Sequence, residues 1–176
     1  MNIPYFGLYG ASTTMAESLS LAAVMTDGGY GKNVLAATSS HFCSSEKQYR
    51  FPLEYGGRRP LTAQWPGTAA GAVIVGRGNG PYIREVTVGT ITDLGITDMN
   101  NMGAAMAPAA ADLIAQNLED FGRSPKDYDK IVTGDLGYVG QEILINLLQK
   151  QKIDISKVHE DCGILIFDKE EQDTDS

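Results

Sequence analysis

The sequence predicts an α/β protein built in layers. Short apolar runs of strand character alternate with amphipathic helical stretches. A strand–turn–helix order running through Gly10-Ala11-Ser12 comes back at Ile131-Val132-Thr133 and Gly134-Asp135-Leu136-Gly137. With an apolar fraction of 43% over 176 residues, the chain is globular in composition and long enough for one ordinary domain.

Tyr5 to Leu8 is a short apolar run expected as the first strand. It leads into Ser12-Thr13-Thr14, whose hydroxyls suit a helix N-terminus, and the helix expected from about Thr13 to Asp27 is stopped by Gly28-Gly29. Met15, Leu19, Leu21, Ala22, Val24 and Met25 put apolar groups on most of its faces, so it is expected to lie buried in a larger body. Val34-Leu35-Ala36-Ala37 reads as a buried parallel strand opening into the polar Thr38-Ser39-Ser40-His41. From Phe42 to Gly67 there is no clear period, and a loop of that length is expected to serve a function or an interface.

Gly71-Ala72-Val73-Ile74-Val75 and the alternation through Ile83, Val86 and Val88 predict a hairpin, connected by Gly78-Asn79-Gly80-Pro81. Met106, Ala110, Leu113, Ile114, Leu118 and Phe121 predict an amphipathic helix closed by Gly122, with Pro108 tolerable only near its first turn. Ile131-Val132-Thr133 reads as a short strand, Ile143, Leu144, Leu147 and Leu148 as the apolar face of another helix, and Gly163 to Phe167 as a last strand. The expected organisation is one domain over residues 1–167 and an acidic, disordered tail over 168–176.

A net charge of -8 without a long Lys/Arg cluster argues against nucleic acid as a partner. No apolar run approaches the ~20 residues that span a bilayer, and Met1-Asn2-Ile3-Pro4 lacks the charged and apolar regions of a secretory leader. Cys43 and Cys162 are too few and too far apart for a disulfide framework, which fits a reducing, cytosolic compartment.

Four groups of residues could carry chemistry. Ser12 sits on a tight strand-to-helix turn, where unpaired N–H groups and the helix dipole favour an anion. Thr14 stands where a G-x-S-x-G elbow needs its second glycine, and a helix cap is the more ordinary role for Ser12. His41 with Cys43 and His159 with Cys162 could supply four zinc ligands, but neither spacing is of the C-x₂-C type, and no metal site is expected. Asp93, Asp98 and Asp135 lie in glycine-containing turns at strand ends, where they either shape the turn or face a ligand. Arg50, Arg58 and Arg59, around Glu54-Tyr55, could clamp a carboxylate or pair with local acids.

The series Ala37-Thr38-Ser39-Ser40-His41, Arg50-Phe51-Pro52-Leu53-Glu54-Tyr55-Gly56-Gly57, Asp93-Leu94-Gly95-Ile96-Thr97-Asp98, Met102-Gly103-Ala104-Ala105-Met106-Ala107-Pro108, Thr133-Gly134-Asp135-Leu136 and His159-Glu160-Asp161-Cys162-Gly163 resembles the stage V sporulation protein AD (SpoVAD) family, in wording and in order, from near Ile3 to about Phe167. The resemblance implies a thiolase-like fold, layered α/β/α/β/α and made of two related halves. This chain would hold the end of the first half and the start of the second, an incomplete fold covering about the middle half of a family member.

The resemblance also implies binding of pyridine-2,6-dicarboxylate (dipicolinate), with or without calcium, during its uptake into the developing spore. The implied partners are other SpoVA membrane proteins and a second copy of the intact chain as a homodimer. The implied location is the cytoplasmic face of the developing spore, peripheral to its inner membrane. Ser12, Thr13, Ser40, His41 and Asp135 are the residues expected to line the ligand pocket. Two departures from thiolases and ketoacyl synthases speak against catalysis: Ser12 stands where thiolases and typical family members carry cysteine, and the Gly134-Asp135 turn lacks the catalytic histidine of ketoacyl synthases. No catalytic residue and no cofactor is therefore expected. The alternatives are a thiolase-like acyltransferase that uses Ser12, and a structural partner of membrane subunits with a vestigial pocket.

Overall fold

The computed structural model describes residues 2–41, 44 and 60–172. It is mixed α/β and divides into two compact units, Met1–Ser45 with Pro66–Val86, and Glu46–Trp65 with Thr87–Ser176. The loop arginines Arg50, Arg58 and Arg59, with Glu54, Tyr55 and Cys43, lie outside the described residues.

In the first unit a 3-10 turn, Ala11–Thr13, runs directly into helix α1, Thr14–Asp27. Gly29, at φ 77, follows the helix, and the Tyr30 amide donates back to the Met25 carbonyl at 2.9 Å. Strands β1, Asn33–Ser40, and β2, Ala69–Gly76, pair antiparallel with Leu35 opposite Ile74 and Ala36 opposite Val73. Alternation then sorts the sheet: Val34, Ala36, Val75 and Gly71 are the more covered residues, whereas Leu35 and Ile74 point the other way and are exposed. Helix α1 packs on both strands.

Four expectations for this unit need correction. β1 is antiparallel rather than parallel, because its ladder partner is β2. No hairpin forms between β2 and the Ile83–Val88 stretch, since β2 spends its ladder bonds on β1 and residues 82–98 run without regular structure. Tyr5 to Leu8 is not a strand; no ladder reaches it among the described residues, and Tyr5 and Phe6 are exposed. Helix α1 is buried only along a Ser18, Ala22, Thr26 stripe, one residue per turn, and leaves Val24 exposed.

The second unit contains the main core. Helix α2, Met102–Asp120, starts where the Asn101 side chain accepts the Ala104 amide at 3.2 Å. It stops at Gly122, whose φ of 59 lets the Arg123 amide reach the Leu118 carbonyl at 2.8 Å and the Gly122 amide reach Glu119 at 3.1 Å. The helix begins four residues earlier than the apolar spacing from Met106 suggests, so Pro108 lies in its interior and not in its first turn.

Strand β3, Ile131–Thr133, pairs in parallel with β4, His159–Asp161, and helix α3, Gly137–Lys150, connects them. Ala107 and Ala111 of α2 meet Leu144 and Leu148 of α3, with Leu136 and Ile155 completing the buried cluster. The helices approach so closely at Gly103 and Gly140 that a Cβ on Gly140 would stand 2.9 Å from the Gly103 Cα. The strand expected at Gly163 to Phe167 is instead helix α4, Cys162–Ile166, because the Asp161 side chain caps its first amides. Residues 168–172 close a turn in which the Gln172 amide donates to the Asp168 carbonyl at 2.7 Å.

Candidate functional site

The turn carrying Ser12 is held by its own neighbours. Ala11 has φ 49, a left-handed conformation unusual for a residue with a Cβ. The Thr14 hydroxyl donates to the Ala11 carbonyl at 2.8 Å and accepts the Gly10 amide at 3.0 Å, while the Thr13 hydroxyl donates to the Gly10 carbonyl at 2.6 Å. Ser12 and Thr13 are both exposed, and no side chain caps the N-terminus of α1. Glu17 in the first turn of α1 brings its carboxylate over Gly10, where an added Cβ would lie 2.7 Å from Oε2. With the Thr13 and Thr14 protons spent on the Gly10 and Ala11 carbonyls, the turn offers a ligand the Ser12 hydroxyl and a helix dipole, beside the Glu17 carboxylate.

Ser40 ends β1 and His41 follows it, both exposed, with the His41 carbonyl accepting the Ser44 amide and hydroxyl at 3.0 Å each. Ser12, Thr13, Ser40 and His41 belong to the first unit and Asp135 to the second. Asp93 and Asp98 act as turn formers: Asp93 accepts the Gly95 amide at 2.7 Å and Asp98 the Asn100 amide at 2.9 Å.

Asp135 sits half-buried in the turn between β3 and α3, and its carbonyl accepts from the Gln64 side chain at 3.2 Å. Gly137 at φ 65 lets the chain swing into α3. The turn is fixed from β4. Asp161, 1% exposed, accepts the Leu136 amide at 2.8 Å and the Thr133 hydroxyl at 3.0 Å on Oδ2, and the Gly163 and Ile164 amides at 3.0 and 3.3 Å on Oδ1. Strand alternation puts His159 on the same side as Asp161. Its Nε2 lies 3.0 Å from the Thr133 hydroxyl and its Nδ1 3.2 Å from the Gln141 side-chain nitrogen.

Burial pushes the His159 pKa below its ordinary value, outweighing the pull of Asp161 and Glu160 toward the charged form. Burial, then the charges of Asp161 and Asp135, push the Cys162 thiol up, which keeps it protonated and poorly nucleophilic. Glu160, on the opposite face of β4, pairs with Lys130.

Thr133, His159 and Asp161 lie in the motifs that carry the family resemblance, but the sequence marks neither them nor Gln141 as residues of the ligand pocket, and His159 reads only as a candidate metal ligand. The available signal was the alternation His159-Glu160-Asp161, which directs two polar side chains inward from one short strand.

The SpoVAD family, described as stage V sporulation protein AD, matches residues 1–176. The chain belongs to this family. It is similar to stage V sporulation protein AD of Bacillus subtilis (strain 168), 44% identical over 173 residues that make up 98% of this chain and 51% of the relative. It thus spans about half the length of that SpoVAD relative. Among the described residues no helix is long and apolar enough to cross a membrane.

Proposed function

We propose that this SpoVAD chain is part of a dipicolinate-binding subunit with a thiolase-like fold, acting without acyl transfer beside SpoVA membrane proteins at the cytoplasmic face of the developing spore's inner membrane, as a homodimer when intact. The observation that carries the binding reading is the Ser12 turn: the exposed Ser12 hydroxyl stands at the N-terminus of a 14-residue helix that no side chain caps, with Thr13 holding the turn through the Gly10 carbonyl. Ser40 and His41 of the same unit add a hydroxyl and an imidazole at a strand end.

Glu17 beside the turn disfavours a bare dianion, so the species that suits the site is dipicolinate carrying calcium, whose two charges cancel those of the two carboxylates. Calorimetry on the protein with dipicolinate, with and without calcium, tests this. Ser12→Ala and His41→Ala are each expected to weaken binding about tenfold, the loss of one charge-assisted hydrogen bond. Unchanged affinity in both variants would overturn the assignment of these residues. An acyl adduct on Ser12 after incubation with acyl-CoA, seen by intact mass, would overturn the non-catalytic reading.

A further inference from the structure

The polar groups behind the Asp135 turn form a hydrogen-bond chain whose direction is fixed. Asp161 receives four donors on its two oxygens, as an acceptor-only carboxylate does. The Thr133 hydroxyl therefore spends its single proton on Asp161 and must accept at its other contact, with His159 Nε2 at 3.0 Å. Nε2 must then carry the imidazole proton, and Nδ1 is a bare lone pair that takes a proton from the Gln141 amide at 3.2 Å. With the Gln141 amide donating, the chain closes with His159 neutral.

His159 and Asp161 thus tie β4 to the start of α3 at two points: Asp161 through the Leu136 amide, and His159 through Gln141. Asp135 lies immediately before the first tether. Protonating Nδ1 would set an N–H against the Gln141 N–H donors, so the second tether has to break or its amide has to turn over.

We propose that His159 is a proton-gated positioning residue: neutral, it accepts the Gln141 N–H and steadies α3 at Gln141, and protonated, it ends that bond, so that Gln141 lets go or turns its amide over while Asp161 still holds the turn. The ionisable groups around it are Asp161 and Glu160 on β4, Lys130 ahead of β3 and paired with Glu160, Asp135 in the turn, Cys162 opening α4, and the exposed Glu142 beside Gln141 on α3. The device is independent of which ligand Asp135 meets.

NMR of the protein without ligand tests it. Long-range nitrogen–proton spectra of the His159 ring are expected to show a neutral ring protonated on Nε2 at pH 7.5, titrating below the ordinary histidine midpoint, with the Gln141 side-chain amide signals moving at the same midpoint. Gln141→Leu removes the bond that only the neutral ring accepts, so the His159 midpoint should rise by about half to one pH unit. A ring protonated on Nδ1 or charged at pH 7.5 would overturn the proposal, as would a midpoint that Gln141→Leu leaves in place. If that variant does not fold, the tautomer and the coupled Gln141 titration in the unaltered protein decide alone.

Discussion

Exchanging Asp161 for Asn alters a single functional group and tests whether β4 holds the Asp135 turn. Both carboxylate oxygens are occupied: Oδ2 by the Leu136 amide and the Thr133 hydroxyl, Oδ1 by the Gly163 and Ile164 amides. Asn retains one acceptor and is a good N-cap, so α4 can keep its cap. Its NH2 group then replaces Oδ2 and faces the Leu136 N–H, which sits 2.8 Å from that atom at a residue only 5% exposed. Turning the amide over does not help, because the two α4 amides then lose their acceptor.

One orphaned buried donor costs about 1–3 kcal/mol, and the lost charge assistance on the remaining bonds brings the expected cost of Asp161→Asn to about 2–4 kcal/mol. Asp161→Ala removes the cap as well and should cost about 1 kcal/mol more. Urea titration followed by circular dichroism measures both, with the slope unchanged and the midpoint moved. A midpoint for Asp161→Asn within about 0.5 kcal/mol of the unaltered protein, the range of an ordinary surface change, would refute the reasoning.

Two further outcomes follow from the same unit. Because the folded His159 pKa lies below the unfolded value of 6.5, the unfolded chain binds more protons in that window, and its contribution to stability, full above 6.5, is lost as pH falls through the folded midpoint. His159→Gln, which keeps a side-chain N–H donor but does not titrate, should flatten the stability profile as pH falls below 6.5, and an unchanged slope would rule His159 out as its source. Gly103→Ala would drive a Cβ into the Leu136 carbonyl oxygen and toward the Gly140 Cα, so a loss of about 1–3 kcal/mol or more is expected in the same urea assay; a gain of the kind Gly→Ala gives in open helices would show that α2 and α3 do not pack through these glycines.

The long helices α1, α2 and α3 were legible because their signal is local; the five-residue α4 was not, and its stretch read as a strand. Leu144 and Leu148 of α3 recur one turn apart and are wholly buried, and Gly122 takes the left-handed conformation that a helix stop requires. Pro108 misled in a limited way: the helix carries it in its interior at the loss of the one i→i−4 bond that its missing N–H cannot make, and the Asn101 cap that starts the helix is a single residue without an apolar period. Strand partners were not legible. Val34 to Ala37 and Gly71 to Val75 are apolar on both faces, and such a run states that it is covered without stating by what, so the antiparallel β1–β2 ladder could not be told from a parallel one.

The same difference in range separates the two sets of polar residues. Around Ser12 the hydroxyl contacts of Thr13 and Thr14 bridge three or four positions, so the turn could be argued from five consecutive letters. Around Asp161 the contacts to Thr133, His159, Leu136 and Gln141 bridge 18 to 28 positions, and they exist only because β3 and β4 lie in parallel register with Thr133 opposite Asp161. A one-residue slip of β4 would turn Glu160 inward and both His159 and Asp161 out, abolishing every bond that holds the Asp135 turn. The cap of α4 is local and would survive such a slip; what resists it is the other oxygen of Asp161, whose bonds to the Leu136 amide and the Thr133 hydroxyl form only with Thr133 opposite Asp161.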